Sequence, residues 1–432
     1  MKTVVLAGGK GTRLGLDAIP KVLVPVDGVP LLERTLAGAV SCGFSDFLGL
    51  TGYLGNVIEE QLGDGRRFGA SIEYVRETEP LGTAGCFNQI RERLTQPFLV
   101  LYGDILMDVD LRAFADFALA RGGAGTLFAH PNDHPFDSDL LEVDENGRIV
   151  AVHPKPHPDN RHFPNLVSAA LYVLSPEALR FVPMEGPSDW GRDVFPVLAR
   201  SAPLYAYRSC EYVKDIGTPE RLARAERHLG EGRLDRLALR TAKAAVFIDR
   251  DGVINEEKGG VHSPADVSLI PGAAKAIRAF NDAGVPVICV TNQPDLAKGM
   301  MDWEDLRAVT GEIDNQLAAE AGAYLDDIFI CPHHPEKGWE GEVAELKVKC
   351  DCRKPADGLL RKAARFHNLD LGRSWLIGDR YCDIAAASSA GVRSILVATG
   401  HAGNDRDAYS VEPQHRCNDV GSAAEHILRA TA

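Results

Sequence analysis

Asp249 and Asp251 stand two positions apart, directly after the apolar run Ala245–Ile248. Carboxylates so spaced can divide a displacement at phosphorus. One attacks as nucleophile; the other protonates the leaving oxygen and later activates water. A calcium loop is the competing use of such oxygens. It needs Glu at its twelfth position, where counting from Asp249 gives Gly260, and helical flanks instead of a strand, so it fails. A second chemical segment is Ala7-Gly8-Gly9-Lys10-Gly11-Thr12-Arg13-Leu14, which follows the apolar run Thr3–Leu6. Gly8, Gly9 and Gly11 let backbone N–H groups approach a polyphosphate, and Lys10 and Arg13 add positive charge. Leu14 stands where a dinucleotide loop needs its third glycine, and the Walker spacing is missing, so both of those loops are excluded.

A third cluster is Cys331-Pro332-His333-His334 with Cys350-Asp351-Cys352. Cys331, His333, Cys350 and Cys352 make a four-ligand set for tetrahedral Zn²⁺, the pattern of a structural site. His334 in place of His333 is the alternative. Between them, Pro335–Lys349 has glycines, charges and little to bury, so a metal staple would help it most. The nine cysteines are odd in number and dispersed, which argues against a disulfide framework.

These groups need elements to hold them. Thr3–Leu6, Phe98–Tyr102 and Gly125–Ala129 read as strands in the first half; Ala245–Ile248, Val285–Val290, Ser374–Ile377 and Ser394–Val397 do in the second. Their near-continuous apolar character suits strands buried on both faces. Alternation with helical patterns predicts an α/β fold with a mainly parallel, doubly wound sheet in each half. Ligands then sit at the carboxyl ends of strands, where the motifs above lie. The expected division is a domain over 1–229, a charged linker over 230–243 that opens with glycines, and a domain over 244–432.

The chain of 432 residues has a net charge of −14 and no evident basic face, which argues against nucleic-acid binding. No apolar stretch reaches the ~18–20 residues of a membrane span. Met1–Leu6 reaches glycines too soon for a signal peptide, so the chain reads as cytoplasmic.

Further motifs follow the glycine loop in order: Pro20-Lys21-Val22-Leu23-Val24-Pro25-Val26, Gly28-Val29-Pro30-Leu31-Leu32-Glu33, Glu79-Pro80-Leu81-Gly82-Thr83-Ala84-Gly85, Tyr102-Gly103-Asp104 and Asp215-Ile216-Gly217-Thr218-Pro219-Glu220. The set resembles the sugar-1-phosphate nucleotidyltransferases, the pyrophosphorylase family, with a Rossmann-like domain. The resemblance implies that Asp104 and Asp215 hold Mg²⁺. Arg13 and Lys21 would contact the phosphates of an NTP, with Gly8, Gly9, Gly11 and Thr12 around them. Gly82 would lie near the base and Lys155 on the sugar phosphate. The family often has Glu-Lys-Pro where Pro154-Lys155-Pro156 stands, and Asn-Ala-Gly where Ser168-Ala169-Ala170 stands, which puts the sugar contacts in question.

In the second half, Thr291-Asn292, Arg353-Lys354-Pro355 and Gly378-Asp379-Arg380-Tyr381-Cys382-Asp383 follow Asp249–Asp251. This order resembles the haloacid-dehalogenase-like phosphatases. With the Cys/His pattern before Arg353, it is similar to the heptose-bisphosphate and histidinol-phosphate subgroup. The resemblance implies Asp249 as nucleophile, Asp251 as acid/base, and Thr291, Asn292 and Lys354 on the phosphoryl group. Asp249, the Asp251 backbone carbonyl and Asp379 would ligate Mg²⁺, and Asp383 would support the loop. One departure is Pro294-Asp295-Leu296-Ala297-Lys298-Gly299, where the heptose enzymes usually carry Ser-Gly-Ile-Ala-Arg-Gly.

The two resemblances together imply a bifunctional enzyme acting on sugar phosphates and NTP. It would remove the 7-phosphate of D-glycero-D-manno-heptose 1,7-bisphosphate and then transfer a nucleotidyl group to the heptose 1-phosphate. GTP is the first candidate nucleotide by analogy with guanylyltransferases, ATP the second. The rival readings are another sugar, such as mannose, paired with a phosphatase of different specificity, or a chain active only in its second half. A degenerate binding module would have lost its acids, whereas Asp104, Asp215, Asp249, Asp251 and Asp379 are all present.

Overall fold

The computed structural model describes residues 1–11, 19–158 and 163–431. The chain forms two compact units: Met1–His130, Phe136–His157 and Val167–Leu239 in one, and Pro131–Pro135, Pro158–Leu166 and Arg240–Ala432 in the other. Among the described residues no helix is long and apolar enough to cross a membrane.

Apart from a two-residue pair at Pro25–Val26 and Val29–Pro30, the strands of the first unit are β1 (Thr3–Ala7), β2 (Asp46–Thr51), β3 (Ser71–Arg76), β4 (Phe98–Tyr102), β5 (Ile105–Asp108), β6 (Gly125–His130), β7 (Leu140–Val143), β8 (Ile149–His153), β9 (Val167–Leu174), β10 (Leu204–Arg208) and β11 (Tyr212–Asp215). On one side of the main sheet the order is β3-β2-β1-β4, all parallel. Alternate residues of β1 and β4, among them Val5, Leu99 and Leu101, pack against helices through Leu36 and Phe114. The other side departs from the expected parallel sheet. There β9 runs antiparallel to β4 and β6, and β7 antiparallel to β8. For β7 and β8 the cause is local: Asp144–Gly147 makes a tight turn between them, closed by Gly147 N–H donating to the Asp144 carbonyl at 3.0 Å. A turn that short joins only antiparallel strands.

The second unit carries one parallel sheet: β12 (Val246–Ile248), β13 (Val287–Asn292), β14 (Asp327–Cys331), β15 (Trp375–Gly378), β16 (Arg393–Val397) and β17 (His415–Cys417), in the order β14-β13-β12-β15-β16-β17. Val246 and Ile248 pack on one face with Ile277 and Phe280 of α1 (Ala273–Ala283) and with Ile313 and Leu317 of α2 (Trp303–Ala321). Phe247, between them, faces the other way onto Leu359 of α3 (Gly358–His367) and Ala386 of α4 (Tyr381–Ala390). This period-two alternation with apolar partners on both faces is why β12 reads as an unbroken apolar run. In both sheets the strand order reverses beside the first strand, the place where such sheets open a crevice at the carboxyl ends.

Candidate active sites

In the first unit the crevice lies between β1, which leads into Gly8, and β4, which leads into Asp104. Gly103 N–H donates to the Leu6 carbonyl at 2.9 Å and holds the two strand ends together. Asp104 Oδ2 accepts from Lys21 Nζ at 2.6 Å. Asp215 ends β11, which pairs antiparallel with β5, and Ile216 N–H donates to the Asp104 carbonyl at 3.3 Å. The two acids are therefore backbone neighbours although 111 positions separate them in the chain. Burial would raise the Asp215 carboxyl, but Arg221 Nη1 at 2.9 and 2.7 Å from its oxygens outweighs that and holds it below its ordinary value. Two carboxylates with water access fit Mg²⁺, which keeps part of its hydration shell.

Gly82 adopts φ +74°, and a Cβ there would fall 2.4 Å from the Ser188 carbonyl oxygen, so only glycine lets the two segments touch. Gly8 and Gly9 follow β1, and Gly11 lies against the Lys21 side chain. Thr12 and Arg13 lie outside the described residues. Lys155 Nζ donates to the Asp137 carbonyl at 2.8 Å and to its carboxylate at 3.0 Å. Asp137 also faces Arg221 at 3.5 Å, so a chain of charges connects Lys155 to Asp215. Sequence reasoning passed over Glu77, one residue past β3, whose carboxylate lies beside Gly8 and is pushed up by burial.

In the second unit the crevice lies between β12 and β15. Asp249 N–H donates to the Ile377 carbonyl at 3.0 Å, which sets Asp249 beside the residues following β15. Lys354 Nζ sits 2.8 Å from Asp249 Oδ1 and 2.6 Å from Asp383 Oδ1, and donates to the Val290 carbonyl at 2.9 Å. Burial works against its charge, but Asp249 and Asp383 outweigh it and raise its pKa. Burial pushes Asp249 up to about 7 and, with the Asp249 charge nearby, Asp379 up to about 8. Asp249, Asp379 and Asp383 each present an oxygen, all within 4.8 Å of one another. Asp379 Oδ1 is buried without a hydrogen-bond partner, and Oδ2 accepts from His401 N–H at 2.7 Å. Gly252 approaches so closely that a Cβ would fall 2.3 Å from Asp379 Oδ2. An orphaned buried oxygen in a carboxylate trio fits a hard divalent cation such as Mg²⁺.

The Asp251 side chain points elsewhere. Its oxygens accept from Arg250 Nε and Nη2 at 3.0 and 2.8 Å, from Asn255 Nδ2 at 2.9 Å and from Gln293 Nε2 at 2.8 Å. Burial would raise its pKa; Arg250, Asn255 and Gln293 outweigh it and hold the carboxylate form, the form that takes a proton from water. The buried Thr291 hydroxyl also accepts from Gln293 Nε2, at 2.8 Å. The Asn292 side chain is tied to the Lys354 backbone: Nδ2 donates to the Lys354 carbonyl and Oδ1 accepts from Lys354 N–H, both at 3.0 Å. Sequence reasoning gave Asp383 a supporting role and gave Asn255 and Gln293 none.

The cysteine cluster assembles at the end of β14. Cys352 Sγ is 3.2 Å from both Cys331 Sγ and Cys350 Sγ, and Cys331 Sγ is 3.6 Å from Cys350 Sγ. His333 Nδ1 is 3.2 Å from Cys352 Sγ and 3.8 Å from Cys331 Sγ. These separations are too long for a disulfide of about 2.05 Å. They lie near the roughly 3.7 Å edge of a tetrahedron with Zn–S bonds of about 2.3 Å. The donor set fits Zn²⁺. His334 is turned away, with its ring edge-on to Trp339.

Residues 2–232 match the family model described as nucleotidyl transferase, and residues 351–423 match one described as HAD-hydrolase-like. The chain is 40% identical over 161 residues to the D-glycero-beta-D-manno-heptose-1,7-bisphosphate 7-phosphatase of Haemophilus ducreyi, a match covering 37% of this chain and 86% of that protein. Among solved structures, D,D-heptose 1,7-bisphosphate phosphatase from B. bronchiseptica, complexed with magnesium and phosphate, is 33% identical, covering 43% of this chain and 99% of that one with a TM-score of 0.39. HddC from Yersinia pseudotuberculosis is 23% identical, covering 53% and 99% with a TM-score of 0.46.

Proposed function

The chain belongs to the nucleotidyl transferase family through its first half and to the haloacid-dehalogenase-like heptose-bisphosphate phosphatases through its second, a bifunctional enzyme, and on that premise we propose that it performs two consecutive steps toward an NDP-heptose. The first step removes the 7-phosphate of D-glycero-D-manno-heptose 1,7-bisphosphate. The second transfers a nucleotidyl group from NTP, GTP before ATP, to the heptose 1-phosphate and releases pyrophosphate. The observation that carries this reading is the fusion: its two chemistries become consecutive when the sugar carries phosphates at both positions. Both steps take place in the cytoplasm.

In the phosphatase step an Asp249 oxygen bonds to phosphorus as the ester bond to the sugar oxygen breaks. Asp251, a carboxylate in the resting site, takes up a proton as the phosphate ester binds, gives it to that oxygen, then takes one from the water that cleaves the aspartyl phosphate. Lys354 neutralises charge on the phosphoryl group and draws Asp249 toward its ionised form, against the burial that raises it. Mg²⁺, held by Asp249, Asp379 and the Asp251 carbonyl, with Asp383 nearby, would supply the remaining charge neutralisation. In the transferase step Lys21 and Arg13 would meet the NTP phosphates, Asp104 and Asp215 the second Mg²⁺, and Lys155 the sugar phosphate. The cluster at Cys331, His333, Cys350 and Cys352 would hold a structural Zn²⁺ beside Lys354.

The test is phosphate release from the α and β anomers of the heptose bisphosphate with Mg²⁺. The product is then offered each NTP while pyrophosphate is monitored. Turnover of one anomer followed by use of one NTP is expected. Rejection of both anomers removes heptose from the proposal.

A further inference from the structure

Two chain segments leave the Asp251 carboxylate and meet again. One departs through Asn255 and the other through Gln293, each hydrogen-bonded to one Asp251 oxygen. They rejoin where His262 Nε2 lies 2.8 Å from Asp295 Oδ2. Lys298 Nζ reaches the other oxygen, Asp295 Oδ1, at 2.9 Å. Gly260 makes this meeting possible: a Cβ there would fall 2.7 Å from His262 Nε2 and 3.2 Å from Asp295 Oδ2. The side chains of His262, Asp295 and Lys298 are 31%, 14% and 21% exposed, so the group is partly buried yet open to solvent. None of the three has a part in the phosphoryl chemistry above. Asp295 also stands in the segment that departs from the heptose enzymes' usual sequence.

We infer that His262, Asp295 and Lys298 form the leaving-group subsite of the phosphatase and bind hydroxyls of the polyol whose phosphate is cleaved. The placement follows from the acid. Asp251 protonates the leaving oxygen, so the carbon chain attached to that oxygen extends on the Asp251 side of the crevice, the side from which these two segments depart. The chemistry suits a polyol: the carboxylate accepts from hydroxyls, while the imidazole and ammonium donate to them. Burial would raise the Asp295 carboxyl, but His262 and Lys298 outweigh it and keep it ionised as an acceptor. A site built to pair hydroxyls discriminates strongly against an ester that lacks them, because its polar groups are then left unpaired. The inference rests on the phosphatase reading of Asp249 and Asp251.

The experiment measures phosphate release by the full-length chain and its Asp295→Asn and His262→Gln variants. The substrates are the heptose bisphosphate and p-nitrophenyl phosphate, whose leaving group offers no polyol. The expected result is a KM for the sugar raised about tenfold, with a smaller change in kcat, and a sugar-to-aryl ratio of kcat/KM lowered about tenfold. A ratio within about twofold of the parent in both variants, whether the two activities hold or fall together, overturns the inference. If the parent rejects the heptose bisphosphate, the heptose reading fails separately. Glycerol phosphates and hexose 6-phosphates then serve as the polyol esters, and a parent that prefers the aryl ester to all of them overturns the subsite.

Discussion

Lys354 places its ammonium 2.8 Å from the carboxylate of Asp249, and both groups are buried. The second carboxylate, Asp383, holds the other side of the same ammonium. Lys354 is thus the counter-charge of Asp249, the proposed nucleophile, and of the loop that follows β15. Replacing it by methionine leaves Asp249 and Asp383 facing each other without compensation. The expected loss of stability is about 3–5 kcal/mol, the usual cost of breaking a buried ion pair from one side. Phosphate release should disappear in whatever fraction remains folded at low temperature. Denaturant melts and a phosphate assay check both.

Asp379, raised to about 8, makes metal binding depend on pH. Below that value the cation must displace a proton, so the apparent Mg²⁺ affinity should rise between pH 6 and 8.5, with proton release on binding. The sign for stability is the opposite. In the metal-free chain the folded carboxyl keeps its proton while the unfolded one, with its ordinary pKa near 4, has lost it. This group's contribution is therefore present in acid and lost as pH rises through about 8. Calorimetry in buffers of different ionisation enthalpy measures the proton release directly.

How much of this was legible follows from which interactions are local. The Asp249 motif could be read because β12 is buried on both faces and ends where its carboxylates begin. The strand read as Val285–Val290 actually spans Val287–Asn292, since Thr291 and Asn292 still pair with Ile330 and Cys331 of β14. A polar residue at the end of a paired strand looks like a loop in sequence. The half-exposed strands on either side of the turn at Asp144–Gly147 lack an unbroken apolar run, so the antiparallel side of the first sheet was missed. The grip of Asn255 and Gln293 on Asp251 joins separate segments through side chains, which no local pattern encodes.

The cysteine cluster predicts a metal stoichiometry. With four soft donors already gathered at tetrahedral separations, the purified chain should carry about one zinc. Cys350→Ser removes one thiolate and should lose most of it. Because Cys352 is followed directly by Arg353 and Lys354, phosphate release should fall as well. Elemental analysis of both proteins decides, and full metal retention in the variant refutes the assignment.

Ala170 offers a stability gain. It sits in the bulge of β9 with φ 57°, a left-handed conformation that costs an alanine about 1 kcal/mol. Glycine adopts it without that penalty. Ala170→Gly should therefore raise the stability of the first unit by about 1 kcal/mol, read as a higher denaturation midpoint with unchanged slope.

The two chemistries use separate acids, and this can be tested in one chain. Asp249→Asn keeps the shape of the side chain but removes the nucleophilic oxygen pair, so phosphate release from the bisphosphate should stop. NTP-dependent pyrophosphate formation from a supplied sugar 1-phosphate should continue, because Asp104 and Asp215 sit at a different sheet. Asp104→Ala should do the reverse: it removes a proposed metal ligand and leaves Lys21 without its 2.6 Å partner. Both activities are measured on each folded variant. Loss of both from either single change would mean that the sites are not chemically independent, and would contradict the assignment of separate acids.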